Sequence, residues 1–191
     1  DLRLVGIARE RGCVGVAITF DPHPVRVLRP DEAPVPLTTL EHRLELMADT
    51  GLDATLVLPF TRELATWSPE RFVDDVLVRA LRVRAVVVGR DIRFGHHNSG
   101  DLQTMRALGA QRGFDVLVID DVGDSESASH ATPRWSSTWL RGVIADGDVE
   151  AAAHVLARPH RVTATVVHGD HRGRELGYPT ANLGPDAVGA V

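Results

Sequence analysis

The sequence contains no lysine. All 21 of its permanent cations are arginine, so any clamp on phosphate has to come from guanidinium, imidazole or backbone N–H groups. It has one cysteine, Cys13, which excludes an internal disulfide and suits a reducing compartment. Aromatic residues make up only 5%. No apolar run approaches the roughly 20 residues that span a bilayer as a helix, and the first twelve residues lack the layout of a signal peptide. The net charge is −5 and the pI about 6.0, which argues against a general nucleic-acid binder. What remains is a chain of 191 residues, 43% hydrophobic and 25% charged. That suits one packed domain, or one and part of another.

Residues 85–101, AVVVGRDIRFGHHNSGD, carry the densest chemistry. A short β-branched run predicts a strand over 85–88, buried on both faces. Gly89 ends it. Arg90, Asp91 and Arg93 set two cations around a carboxylate, and Asp101 is placed to cap a helix starting at Leu102. In open α/β sheets, ligands sit at the carboxyl ends of strands, so this loop is a candidate site. On spacing alone an ordinary βα loop fits equally well.

The remaining chain alternates. Apolar spacing predicts a helix from Leu2 to Gly12 and a strand over 14–20. The strand runs into Asp21-Pro22-His23-Pro24, a stiff turn or an imidazole held at a strand end. Thr38 and Glu41 read as a capping box for a helix with Leu40, Leu44 and Met47 on one face. A strand follows over 54–58. Ser68-Pro69-Glu70 opens a helix that buries Phe72, Val73, Val76, Leu77, Ala80 and Leu81. After the central loop come a helix over 102–112 and a strand over 116–119. Strands alternating with amphipathic helices imply an α/β fold with a doubly wound, Rossmann-like parallel sheet. Such a sheet normally begins with a strand, whereas this chain begins with a helix.

Residues 120–133 read as a flexible polar loop. Ser136-Ser137-Thr138 then opens a helix, and Arg141, three and four residues beyond Thr138 and Ser137, shares their face. Hydroxyls and free N–H groups at a helix N-terminus suit an anion; a serine cap beside a surface arginine is the plainer account. Asp148 caps a further helix with Ala151, Val155 and Leu156 inward. Beyond it the pattern becomes β-like: alternating residues over 161–167 and a Gly-rich charged stretch over 168–177. This places domains at 1–157 and 158–191. Adjacent His96 and His97 should point apart and share no metal. His168 and His171 have ligand-like spacing without evident further ligands. Trp67, Trp135 and Trp139 flank helix starts and read as packing residues.

Four segments in order, TFDPHP (19–24), VVVGRDIRFGHHNSGD (86–101), SSTWLR (136–141) and GRELGYPTANL (173–183), resemble the bifunctional prokaryotic riboflavin kinase/FAD synthetase family. The resemblance implies an FMN adenylyltransferase domain followed by the start of a β-barrel riboflavin kinase. It implies two reactions: ATP phosphorylates riboflavin to FMN, and a second ATP adenylylates FMN to FAD with release of pyrophosphate. Mg²⁺ would serve both, in the cytoplasm. The partners are small molecules, with no nucleic acid or membrane, and a homo-oligomer is left open. By resemblance, Asp21, Pro22, His23 and Pro24 lie beside flavin and nucleotide, and Asp91 near the adenine or ribose and the flavin phosphate. Ser137, Thr138 and Arg141 handle the phosphates in catalysis. Thr180 and Asn182 take the metal and the ATP phosphates, with Gly173 and Gly177 letting the loop backbone approach.

The departures are Ile92, where the family more often has Phe, and Leu28, where some members place an aromatic over the flavin. The family's first strand and its His-x-Gly-His loop would precede Asp1, and the later kinase strands would follow Val191. The resemblance therefore implies a fragment, inactive alone. Two other readings remain: a nucleotidylyltransferase of the same fold with another phosphate acceptor, against which the PTAN segment speaks, and a non-catalytic nucleotide-binding module.

Overall fold

Four short apolar runs form the parallel strands, and they pair by the rule that parallel neighbours need a helical crossover. In the computed structural model, which describes residues 2–119, 136–169, 173, 176–178 and 180–189, helix α1 spans Leu2–Glu10 and strand β1 spans Val16–Asp21. A short helix α2 (Pro24–Leu28), helix α3 (Leu40–Ala48) and strand β2 (Ala54–Pro59) follow. Helix α4 (Pro69–Phe72) continues into a wider-wound segment, Val73–Ala80, which ends with the Leu81 N–H donating to the carbonyl of Val76, five residues back. Strand β3 (Ala85–Gly89), helix α5 (Leu102–Arg112) and strand β4 (Asp115–Ile119) complete the alternation. Helices α6 (Ser137–Ala145) and α7 (Val149–Leu156) precede two-residue strands β5 (Val166–Val167) and β6 (Asn182–Leu183).

The chain divides into two compact units, residues 1–33 with 47–134, and residues 34–46 with 135–191. In the first, β1 pairs with β2 in parallel, Val16 opposite Ala54 through Asp21 opposite Pro59. β3 pairs with β4 in parallel, Ala85 opposite Asp115 through Gly89 opposite Ile119. The single doubly wound sheet expected from the alternation is therefore two parallel pairs among the described residues. The residues of β3, expected to be covered on both faces, are only half-buried. A strand paired on one edge lacks the second neighbour that would finish covering it.

Both pairs nevertheless pack on one core. Val73, Val76, Leu77, Met105, Leu108 and Phe114 are buried, and Ile18, Leu56 and Leu58 from one pair and Val86 and Val116 from the other lie against them. Each such side chain contributes about 1.5–3 kcal/mol when fully removed from water. The helix starts are specified locally. The Ser68 hydroxyl accepts from the Arg71 N–H, the Asp101 carboxylate from Thr104, the Ser136 hydroxyl from Trp139 and the Asp148 carboxylate from Ala151. The α3 cap differs from expectation. The helix starts at Leu40, so the orphan donor is the His42 N–H, and Thr39 Oγ1 accepts it at 3.1 Å. Thr38 stands one residue too early to be the cap. Its deepest residue is also a surprise: His42 is buried, while Leu40, Leu44 and Met47 are half-buried. On α7 the fully buried residue is Ala152 rather than its neighbours Ala151, Val155 and Leu156.

In the second unit the strand expected over 161–167 is short. A single bridge joins Thr163 and Val188, and β5 pairs with β6 antiparallel for two residues. Asp186 replaces part of a ladder by accepting from the Thr165 N–H and hydroxyl. Val166 and Val167 remain exposed, so the alternation has no core to face here. Residues 120–135, His171 and Pro179 lie outside the described residues, as do the expectations that fell on them for the polar loop and Trp135.

Candidate functional site

The first unit brings two of the sequence motifs to one end of its parallel strands. Asp21 closes β1, and the Asp21–Pro22 bond is cis. His23 is more than part of a turn: its Nδ1 accepts from the Val25 N–H at 3.2 Å and so caps α2. In a neutral ring that tautomer leaves the proton on Nε2. Pro24 is the first residue of that helix, where its missing N–H costs nothing.

At the end of β3, Asp91 folds back toward Gly89, whose bare Cα has room for it: a Cβ there would stand 3.3 Å from Asp91 Oδ1. The loop then closes on itself. Phe94 and Gly100 exchange both backbone hydrogen bonds, at 3.1 and 2.9 Å. Gly95 has φ +74, and a Cβ would meet Pro69 at 2.7 Å, so only glycine fits. The Asp101 carboxyl is held below the usual carboxylate range, first by the Thr104 N–H and then by its hydroxyl.

Aromatic contacts tie the two loops together. Phe20, which precedes Asp21, lies 6.5 Å from Phe72, and Phe94 lies 6.2 Å from the same ring. Phe60, just past β2, stands edge-on to Phe20 at 5.6 Å. Ring pairs in this range are mutually attractive. The strand-end motifs of β1 and β3 are thus separated by one phenylalanine of α4. Ile92 and Phe94 pack on the core, whereas Leu28 is exposed.

His96 and His97 depart from expectation. Their rings do not point apart but lie with centroids 3.9 Å apart, tilted 54°. His97 adopts φ +53, which turns its side chain back over its neighbour. His96 Nδ1 is 2.9 Å from the Ala65 carbonyl. Among the described residues no group of three or more His, Cys, Asp or Glu side chains is arranged to hold a metal. Trp67 packs on the core and carries the Arg71 guanidinium over its ring at 4.1 Å.

The second unit holds the other candidates. The Ser136 hydroxyl takes the Trp139 N–H, and the exposed Ser137 and Thr138 stand at the open end of α6, where a helix leaves its first N–H groups without intrahelical acceptors. Arg141 is half-buried. Its Nε donates to the Val35 carbonyl at 2.7 Å, and burial pulls its pKa below the ordinary arginine value. It remains a cation at neutral pH. Sequence spacing along α6 carried no sign of Val35.

Further along, Asn182 starts β6. Its side-chain amide occupies the space a Cβ on Gly169 would need, and the Thr180 hydroxyl does the same beside Gly173, 3.1 Å from such a Cβ. The Tyr178 N–H donates to the Gly173 carbonyl at 2.7 Å, and Gly177 has φ +79. Thr180 and Asn182 are exposed. A hydroxyl and an amide carbonyl are hard oxygen donors. They suit Mg²⁺, which keeps most of its shell as water and phosphate and takes few protein ligands.

The architecture is that of an α/β protein with parallel strands whose carboxyl ends carry charged, glycine-punctuated loops. The chain belongs to the FAD synthetase family, whose model matches residues 2–132, and a riboflavin kinase model matches residues 156–189. It is 39% identical over 178 residues to a bifunctional riboflavin kinase/FMN adenylyltransferase of Listeria monocytogenes, covering 93% of this chain and 54% of that protein. It is 34% identical over 175 residues to the protein of that name from Escherichia coli K12, covering 92% and 54%. For the Bacillus subtilis protein of that name the figures are 33% over 180 residues, 93% and 54%. The chain thus spans about half the length of the curated relatives it matches. A crystal structure described as a macrolide-efflux protein from Streptococcus pneumoniae superimposes with a TM-score of 0.78 at 26% identity, covering 96% of this chain and 58% of that one. Among the described residues no helix is long and apolar enough to cross a membrane.

Proposed function

We propose that this chain contributes the adenylyl-transfer domain of a protein that makes FAD from FMN and ATP, and part of a module that phosphorylates riboflavin. The observation that carries the reading is the aromatic link of Phe20 and Phe94 through Phe72. It supports placing Asp21–Pro24 and the Asp91 loop at one strand-end rim, the place where open α/β sheets take nucleotides. On this reading the two parallel pairs are halves of one doubly wound sheet. Residues 158–191 begin a β-barrel, and 1–157 form the adenylyltransferase domain.

In the reaction, an oxygen of the FMN phosphate attacks the α-phosphorus of ATP. The bond from that phosphorus to the bridging oxygen breaks, and pyrophosphate leaves with the electron pair. Asp21, Pro22, His23 and Pro24 line the flavin and nucleotide. Asp91 accepts from the ribose or adenine. Ser137 and Thr138 offer hydroxyl and N–H donors to the leaving pyrophosphate, and Arg141 offers charge. The chemistry needs little more than positioning and neutralisation of phosphate. In the kinase module Thr180 and Asn182 hold the ATP phosphates, with Gly173 and Gly177 letting the backbone close on them. Mg²⁺ bound there would neutralise phosphate charge and orient the γ-phosphoryl group. The substrates are ATP, FMN and riboflavin, and the compartment is the cytoplasm.

The test is acceptor choice. The full-length protein with MgATP should convert FMN to FAD and release pyrophosphate, and should leave pantetheine, glycerol and choline phosphates untouched. Adenylylation of one of those in preference to FMN would overturn the reading.

A further inference from the structure

Residues 34–46 fall inside the stretch matched by the FAD synthetase model, yet they fold with residues 135–191 rather than with their sequence neighbours. The reason is a run of bonds through two consecutive carbonyls. The Val35 carbonyl accepts from Arg141 Nε at 2.7 Å. The next one, on Pro36, accepts from the Gly189 N–H at 3.0 Å. The Gly189 carbonyl in turn meets His160 Nε2 at 2.7 Å. Gly189 and His160 both lie in the stretch matched by the riboflavin kinase model. A second tie, Arg161 to Glu45 at 3.1 Å, holds α3, which follows the strap.

The strap is built to be stiff. Val35 sits between Pro34 and Pro36, whose rings fix φ on either side and whose nitrogens donate to nothing. A carbonyl presented this way fixes the plane of the guanidinium that it binds. Arginine is planar and carries five donors in a rigid fork. With Nε committed to Val35, the two terminal nitrogens are aimed as a unit, which is what two-point recognition of a phosphate requires.

We propose that the residue 34–36 strap and Gly189 are positioning elements for Arg141, so that the kinase-matching segment helps set the geometry of adenylyl transfer. This rests on the role given to Arg141 above. Gly189 is the sensitive point. Its φ is +92, and a Cβ would come within 2.5 Å of the Arg161 carbonyl oxygen and 3.2 Å of His160 Nε2. Alanine there cannot keep both the backbone conformation and the bond to Pro36. An uncoupled strap leaves Arg141 charged but unaimed.

The experiment is a double-mutant cycle in the full-length protein. The variants are Gly189→Ala, Arg141→Ala and the two together, with FAD formation from FMN and FMN formation from riboflavin measured separately. Gly189→Ala should lower kcat/KM for FAD formation by about tenfold, the loss expected of one misaligned charge-assisted contact, with most of the change in kcat. In the Arg141→Ala background Gly189→Ala should change FAD formation by less than about twofold, because its target is gone. A merely structural loss would multiply with the Arg141 loss instead, and that outcome overturns the proposal. So does unchanged FAD formation in Gly189→Ala. If Gly189→Ala fails to fold, Pro36→Ala keeps the carbonyl while loosening the strap, and the same non-additivity with Arg141→Ala is required. Should Arg141→Ala itself leave FAD formation intact, the site assignment falls, and that result is distinct from failure of the coupling alone.

Discussion

Replacing Arg141 with alanine removes a guanidinium whose Nε is engaged by the Val35 carbonyl and whose stem is half-buried. Two terminal nitrogens are left to bind phosphate. Hydrogen bonds to charged groups contribute about 1.5–3 kcal/mol each. Losing two that strengthen as the pyrophosphate leaves should therefore cost at least about 3 kcal/mol. At about 1.4 kcal/mol per factor of ten, that is roughly a 150-fold fall in kcat/KM for FAD formation. Riboflavin phosphorylation should change by less than about twofold, because its phosphate contacts are assigned to Thr180 and Asn182. Arg141→Lys keeps the charge but loses the Nε donor and the planar fork, so it should fall between wild type and alanine, at about tenfold. The assay follows FAD and FMN separately by chromatography in the full-length protein, with circular dichroism to verify folding. A fall of both activities by the same factor in a folded variant would refute the allocation, as would full activity in Arg141→Ala.

Thr180→Ala and Asn182→Ala should do the reverse, cutting FMN formation by about tenfold or more and sparing FAD formation. Equal loss of both in a folded protein would contradict the assignment. His42 gives a pH dependence. Burial, then the nearby Arg161 and Arg158, holds its pKa below the ordinary 6.5. The folded state therefore binds fewer protons than the unfolded chain between the lowered value and 6.5. Stability is complete above about pH 6.5, falls as the pH drops below it, and levels off under the folded pKa. Thermal midpoints taken from pH 8 to 5 should decline in that window, and His42→Asn should flatten the decline. An unchanged slope in the variant would show that His42 is not its source. The lowered carboxyls of Asp74, Asp101 and Asp186 act elsewhere. Their stabilisation is present above the ordinary carboxylate range and is lost as the pH falls through their folded values.

The features legible in the sequence were those settled within one turn of chain. Ser68, Asp101, Ser136 and Asp148 each satisfy a donor three residues on, so the residue type at that spacing was enough. The core positions Val73, Val76 and Leu77 followed from helical periodicity in the same way. What was hidden depends on long-range geometry. Val35 and Arg141 are 106 residues apart, and a backbone carbonyl leaves no mark in side-chain spacing. His42 reads as a polar residue on α3; its burial, near Arg158, His160 and Arg161 far along the chain, has no mark in local spacing. The shared Phe72 contact was invisible because Phe20, Phe72 and Phe94 each look like an ordinary core residue alone. The four-segment resemblance supplied a family that composition and periodicity did not reach.

Under the proposed function, the ends of β1 and β3 serve the same nucleotide. Titrating a non-hydrolysable ATP analogue into the isotopically labelled full-length protein reads this directly through the amide signals of Thr19–Asp21 and Gly89–Asp91. Both sets should move together along one binding curve with one Kd. Movement of one set while the other stays still at saturation would contradict the claim.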